Sequence, residues 1–281
     1  MFNIFIEYIL VLIVIGILAG FSTGLLGIGG GFFMVPLQYI LLTSIGVDSD
    51  LALRISIGTS LAIIAPTALS GAYTHQHNLK NILSPGILLG IFGLIGGIIG
   101  GIVSSYLPVD ILEIILGIVL ILAAITMLID TEGKSSKRFK LSIYTAFLFG
   151  GIIGFSSGLL GIGGGIALIP ILVFLLGFSM RESVGISSIF TSLTVIGGTV
   201  TYILMGLGAN TLPYSLGYVN LIHFLIISFF SIPVAHFSSK LLYKMPEKRL
   251  KQIFAIVLLY LGFNLLGFDL FSFLGGIFNI L

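Results

Sequence analysis

GLLGIGGG stands twice in this chain, at Gly24–Gly31 and again at Gly158–Gly165. The residues ahead of each copy agree as well, GFSTG at Gly20–Gly24 and GFSSG at Gly154–Gly158. Neither copy carries a charge. Three adjacent glycines destabilise a helix interior, because each gives up backbone freedom and packs no side chain. The stretch therefore reads as a break between two apolar runs. A short helix is expected to restart at Gly31 or Phe32, and in the second copy at Gly165 or Ile166. The first amide N–H groups of such a helix have no partner within it and lie at the positive end of its dipole.

The agreement extends outward from the glycines. Pro36 matches Pro170, and SIGTSL at Ser56–Leu61 matches SIFTSL at Ser188–Leu193. Thr67 matches Thr199, Ser104-Ser105 matches Ser238-Ser239, and Pro108 falls near the place of Pro246. Residues 4–130 and 141–267 thus read as two copies of one unit. Each holds five apolar segments, roughly 4–22, 32–46, 51–74, 82–106 and 109–130, then 141–157, 166–179, 182–206, 214–240 and 247–267. The second segment of each unit is short for a span of about 20 residues. The division expected is a first repeat over 1–130, a basic linker over 131–140, a second repeat over 141–267, and an apolar tail over 268–281.

Composition settles the solvent. The 281 residues are 57% hydrophobic and 8% charged, with a mean hydropathy of +1.24. A soluble domain carries about 25% charged residues. The apolar runs are continuous rather than alternating, which points to helices and not to a β-barrel. The fold expected is an all-α integral membrane protein with about 8–10 transmembrane segments, some broken at glycine. The run Ile9–Ala19 follows Glu7 instead of a basic region and reads as a retained span rather than a signal peptide. The chain has no cysteine, which excludes thiolate catalysis, disulfides and cysteine-bound metal. A net charge of +2 suggests no nucleic-acid partner.

Charge placement gives an orientation. If the segments alternate, 11 of the 12 Lys and Arg fall on one face: Lys80, the linker cations, Arg181, Lys240 and those of 244–251. Glu7, Asp48, Asp50, Asp110, Glu113 and Asp269 fall on the other, with Arg54 as its lone cation. The basic face is cytoplasmic by the positive-inside rule, so the N-terminus is outside. Five is odd, so the second unit is inverted relative to the first. Inverted repeats with broken helices are an architecture of secondary transporters, whose half-helix N-termini face anionic substrates near the midplane. Gly29, Gly30, Gly31, Gly163, Gly164 and Gly165 are the candidate backbone donors. Glycine as a close-packing contact is the alternative, and Gly93, Gly96, Gly97, Gly100 and Gly101 fit that role.

Ser56, Thr59, Ser60, Ser188, Thr191 and Ser192 are candidate hydroxyl donors to an oxyanion. Bonding to a carbonyl one turn back is the alternative for each. Arg54 either pairs with Asp48 and Asp50 at a span end or serves as an outer cation for the anion. His75 and His77 are expected in a solvated cytoplasmic loop. His223 and His236 lie in a span and are packed neutral rings or proton sites. No acid is mid-span, which argues against a cation substrate. No metal site or cofactor is expected.

The doubled GLLGIGGG with its Pro five residues on, the GTSLAIIAPTALSGAYTH stretch at Gly58–His75 and the basic linker resemble the TauE/SafE family. The resemblance runs over roughly residues 5–267. It implies a multi-pass carrier in a bacterial or archaeal plasma membrane, handling sulfite, sulfonates such as sulfoacetate, or related small acids. The second copy departs from the pattern, with Phe190 at the place of Gly58. Its expected partners are a small anion, the bilayer and a coupling ion. Two other classes remain open. A passive anion channel would use the same glycine-lined helix ends. An intramembrane serine hydrolase would use the G-x-S-x-G serines, Ser22 and Ser156, but would need a strand-to-helix elbow around them.

Overall fold

The computed structural model describes residues 2–79, 81–128, 141–209, 212–241, 255–256, 259–260, 262–263 and 266–267. The linker over 131–140 and the tail over 268–281 lie outside the described residues. Nine α-helices are described: α1 (Phe2–Leu26), α2 (Gly31–Ser44), α3 (Ser49–Asn78), α4 (Leu83–Tyr106), α5 (Val109–Leu128), α6 (Ile143–Leu160), α7 (Gly165–Pro170), α8 (Met180–Met205) and α9 (Leu221–Leu241). Six of them, α1, α3, α4, α6, α8 and α9, are long and apolar enough to cross a bilayer. The chain divides into two compact units, residues 1–106 with 133–245 and residues 107–132 with 246–281.

Both glycine stretches break the helix. α1 ends at Leu26 and α2 restarts at Gly31; α6 ends at Leu160 and α7 restarts at Gly165. Gly30 and Gly164 cap the restarts with φ of 72° and 76°, a left-handed backbone that favours glycine. The first span therefore runs one turn past the expected 22. The short seventh segment is a six-residue α-helix continued by a π-helical stretch, Ile171–Leu175. The ninth segment starts later than expected. Residues 215–220 form a small antiparallel hairpin of β1 (Ser215–Leu216) and β2 (Val219–Asn220). Gly217 opens its two-residue turn with φ +58°, the conformation such hairpins need.

In the larger unit α3 and α8 pack against each other at the centre. α4 lies on α8 and on α6, while α9 lies on α3 and on α1. Glycine makes the α4–α6 seam tight. A β-carbon on Gly96 or Gly100 would run into the carbonyls of Gly151 or Phe155, and one on Gly154 or Gly158 into those of Gly93 or Gly97. In lipid, the close packing that such backbone approach allows is one of the forces that hold helices together. Gly93, Gly96, Gly97, Gly100 and Gly101 are all buried packing contacts, as expected. The α3–α9 seam is joined instead by hydroxyls: Thr67 with Ser231 at 2.7 Å, Ser70 donating to the Ile232 carbonyl at 3.1 Å, and Thr74 with His236 at 3.0 Å. In the smaller unit α5 meets the last helical segment at Gly117 and Gly262.

His75 is not in a solvated loop. α3 continues through Asn78, and His75 is 0% exposed in its last turns. Its Nε2 lies 3.2 Å from the Gly24 carbonyl. That carbonyl belongs to the final turn of α1, where carbonyls lack a helical donor, so the ring N–H supplies one. His77 is exposed, with its Nδ1 2.9 Å from the Tyr73 carbonyl.

Candidate functional site

The two glycine loops meet. Residues 26–31 and 157–165 are all buried. A β-carbon on Gly31 would collide with the Gly161 carbonyl and lie 2.8 Å from the Ile162 α-carbon. One on Gly165 would lie 2.5 Å from the Gly27 carbonyl and 2.5 Å from the Ile28 α-carbon. The contacts exchange: each restart glycine sits against the first turn of the opposite loop. Gly29 and Gly163 both face the Thr191 methyl, at 3.1 Å from a built β-carbon in each case. All six candidate glycines are thus brought together.

Two loop carbonyls are bonded by hydroxyls of α8. Thr191 donates to the Gly163 carbonyl at 2.9 Å, and Ser187 to the Gly27 carbonyl at 2.7 Å. The amides are not used up in the same way. In α2 the first to bond back are those of Phe33 and Met34, both to the Gly30 carbonyl at 3.1 Å. In α7 it is that of Leu168, to the Gly164 carbonyl at 3.2 Å. The amides of Gly31, Phe32, Gly165 and Ile166 therefore have no acceptor within their helices. Amides without a helical acceptor give the loop junction backbone donors without a charged residue.

The six hydroxyls divide. Thr191 reaches the loops. Ser56 and Ser188 donate to the carbonyls of Ala52 and Val184, four residues back, and Ser192 to that of Ile189. Thr59 accepts from the Asn220 amide at 2.9 Å, and Ser60 accepts from Gln38 Nε2 at 2.9 Å. Arg54 bonds to Asp50 and Ser104. It is 8% exposed, forks onto both Asp50 oxygens at 2.8 and 2.9 Å, and donates to the Ser104 carbonyl at 3.1 Å. Tyr202 donates to the Ser104 hydroxyl at 2.5 Å on the other side.

A second polar group gathers around His223, one of the two span histidines read above as packed rings or proton sites; its partners Gln38, Tyr8 and Asn220 escaped the sequence reading. His223, 1% exposed, bonds through Nδ1 to Gln38 Oε1 at 2.9 Å and through Nε2 to the Tyr8 hydroxyl. Its backbone amide donates to Asn220 Oδ1 at 3.0 Å. Four elements, α1, α2, α9 and β2, join at this ring, and Gln38 extends the chain to Ser60 on α3. The signal available was Gln38 itself, an amide inside an otherwise apolar short segment. Ser22 and Ser156 lie inside α1 and α6 and donate to the carbonyls of Ala19 and Ile153. No strand leads into either, so the hydrolase elbow is not formed at them. A groove of about 300 Å³ between α3, α8, β2 and α9 is lined by Ala62, Ile196, Val200 and Phe224 among others, and its one hydroxyl side chain, Thr199, donates to the Val195 carbonyl.

Long apolar helices, two of them broken at facing glycine loops, make this a multi-pass helical membrane protein. The chain belongs to the sulfite exporter TauE/SafE family, whose model matches residues 12–265. A probable membrane transporter protein of Haemophilus influenzae is 31% identical over 266 residues, covering 92% of this chain and 98% of the relative. One of Methanocaldococcus jannaschii is 34% identical over 243 residues, covering 84% and 86%. Another, of Bacillus subtilis, is 32% identical over 203 residues, covering 70% and 78%. No solved structure matches the chain. The protein is a membrane transporter and not an enzyme.

Proposed function

We propose that the protein carries a small sulfur-containing anion, sulfite or a sulfonate such as sulfoacetate, across the plasma membrane of a prokaryote. The two halves act as inverted repeats, with the N-terminus outside and the 131–140 linker in the cytoplasm. One half rocks against the other around the glycine loops, so that access alternates. The observation that carries this reading is the exchanged contact of Gly31 with Gly161 and Gly165 with Gly27. It brings two helix starts to one place, with amides free of helical acceptors and the Gly27 and Gly163 carbonyls already bonded. An oxyanion accepts from such amides. The family description, sulfite exporter, supports the sulfur-anion class. Burial of both loops favours a carrier in an occluded state over an open channel.

The test is thermal stability of the purified protein against sulfite, sulfate, thiosulfate, sulfoacetate, taurine, acetate and phosphate. A ligand bound only by the folded state raises stability by mass action. A rise with sulfite or a sulfonate, reduced by Thr191→Val, supports the reading. A rise with acetate or phosphate alone would replace the substrate class. No rise with any anion, together with no uptake into liposomes, would refute it.

A further inference from the structure

We infer that His223 is the site at which a coupling proton enters with the anion. The inference rests on the carrier reading above. Buried ionisable side chains in the spans of the larger unit are few among the described residues: Arg54, His75, Tyr202 and His223. Arg54 is committed to Asp50, and Tyr202 to Ser104. His75 Nε2 faces a backbone carbonyl, which only accepts, so that nitrogen keeps its proton throughout.

His223 has partners that suit both of its protonation states. Gln38 donates from Nε2 to Ser60, so its Oε1 faces the ring and Nδ1 carries a proton. In the neutral ring Nε2 then accepts from the Tyr8 hydroxyl. When a proton adds at Nε2, that N–H donates to the phenolic oxygen instead, and the Tyr8 hydroxyl proton turns away. No covalent bond to carbon or oxygen breaks. Tyr8 is half-buried two residues into the first long span, so it connects the ring to the boundary at that end of α1. Proton paths in membranes run through ionisable side chains such as His, and a hydroxyl that both donates and accepts can extend them.

The surroundings explain the coupling to an anion. From α1 the ring meets Tyr8, from α2 Gln38, and from β2 Asn220. Beyond Gln38, α3 presents Ser60. Asp50 of α3 is turned onto Arg54, and among the described residues no carboxylate bonds the ring. A buried imidazolium would stand without a counter-charge, which is costly. An anion at the start of α2 supplies one. Gln38 is seven residues beyond Gly31, about 10 Å along the helix at 1.5 Å per residue. Anion and proton then favour each other's binding, and by linkage the effect is reciprocal.

The experiment uses the full chain in liposomes that enclose a pH-sensitive dye. Sulfoacetate or thiosulfate is added outside, since neither takes up a proton near neutral pH. The interior is expected to acidify as the anion enters. His223→Gln should cut acidification about tenfold while exchange of labelled anion across the membrane persists, the pattern of a lost coupling free energy. Tyr8→Phe keeps the ring and its packing and should do the same. Uptake by the unaltered protein without acidification, or acidification unchanged in both variants, overturns the inference and leaves the carrier reading standing. Loss of exchange as well as acidification in both variants marks the cluster as structural and also overturns it. Absence of any uptake or exchange of either anion by the unaltered protein removes the carrier reading, and this inference with it.

Discussion

The Thr191 hydroxyl donates to the Gly163 carbonyl at 2.9 Å, while its methyl group faces both Gly29 and Gly163. One side chain of α8 thus meets both glycine loops. Its counterpart in the first half, Thr59, accepts from the Asn220 amide instead. Matching residues in the two copies have different tasks, in line with the SIGTSL-to-SIFTSL departure at Phe190. The loop junction is near-symmetric in backbone and asymmetric in side chains.

Thr191→Val should separate the hydroxyl from the shape. Valine fills the same volume but leaves a buried carbonyl without its donor, at a cost of roughly 1–3 kcal/mol. The melting temperature in detergent should fall by several degrees, and Thr191→Ser should recover most of it. The freed Gly163 carbonyl also turns a partial negative charge toward the anion. Stabilisation by sulfite or sulfoacetate should therefore shrink in the valine variant by more than in the serine variant.

The loop glycines should differ from other left-handed glycines. Gly46 has φ +88° and open space around a built β-carbon. Gly46→Ala should cost only the backbone penalty, about 1–2 kcal/mol. Gly30 has φ +72°, and a β-carbon there would lie 2.8 Å from the Ala19 carbonyl and 2.9 Å from its α-carbon. Gly30→Ala should yield little folded protein, as should Gly164→Ala beside Ile153 and Phe190. Recovery of folded Gly30→Ala at the level of Gly46→Ala would contradict the tight loop junction.

Arg54 should behave as an anchored ion pair. Its guanidinium is nearly buried, while the Asp50 side chain is 51% exposed. Asp50→Asn leaves the cation with the Ser104 carbonyl and partial access to water, so the loss should be about 1–2 kcal/mol, below that of breaking a fully buried pair. Arg54→Lys loses the two-oxygen fork and should cost a similar amount. If Arg54 served the anion directly, Arg54→Lys would weaken anion-dependent stabilisation while Asp50→Asn left it intact. Equal effects on stability, with anion response preserved in both, are expected.

Much of this fold was legible because glycine and apolar runs act locally. The breaks at Gly27–Gly30 and Gly161–Gly164, the restarts at Gly31 and Gly165, and the packing glycines of α4 all follow from a missing side chain. The hydroxyls of Ser56 and Ser188 bond to their own helix one turn back, one of the two alternatives the residue type offers. The rest depends on partners distant in sequence. His75 is buried because an end carbonyl of α1 needs a donor, and nothing near His75 in the sequence says so. Gln38 and His223 are 185 residues apart. The hairpin at 215–220 is too short to stand out against the apolar segment that follows it, and only Gly217 marks its turn.

The two seams on α3 and α8 lead to a last prediction. α4 is held to α8 and α6 by backbone contacts that leave no room for a β-carbon, whereas α9 is held to α3 by hydrogen bonds between side chains. Hydrogen bonds of this kind exchange partners at little cost, while glycine-packed backbones must separate entirely before they slide. Rocking should therefore open the α3–α9 seam and leave the α4–α8 seam closed. The chain contains no native cysteine, so a pair introduced at Thr67 and Ser231 can cross-link only with each other or between copies. Their hydroxyl oxygens are 2.7 Å apart, which puts the β-carbons within reach of a disulfide. Thr67→Cys with Ser231→Cys should form the bond on mild oxidation, lose anion uptake, and regain it on reduction. Each single variant should keep uptake under the same oxidant. Full uptake in the cross-linked protein would place the moving seam elsewhere.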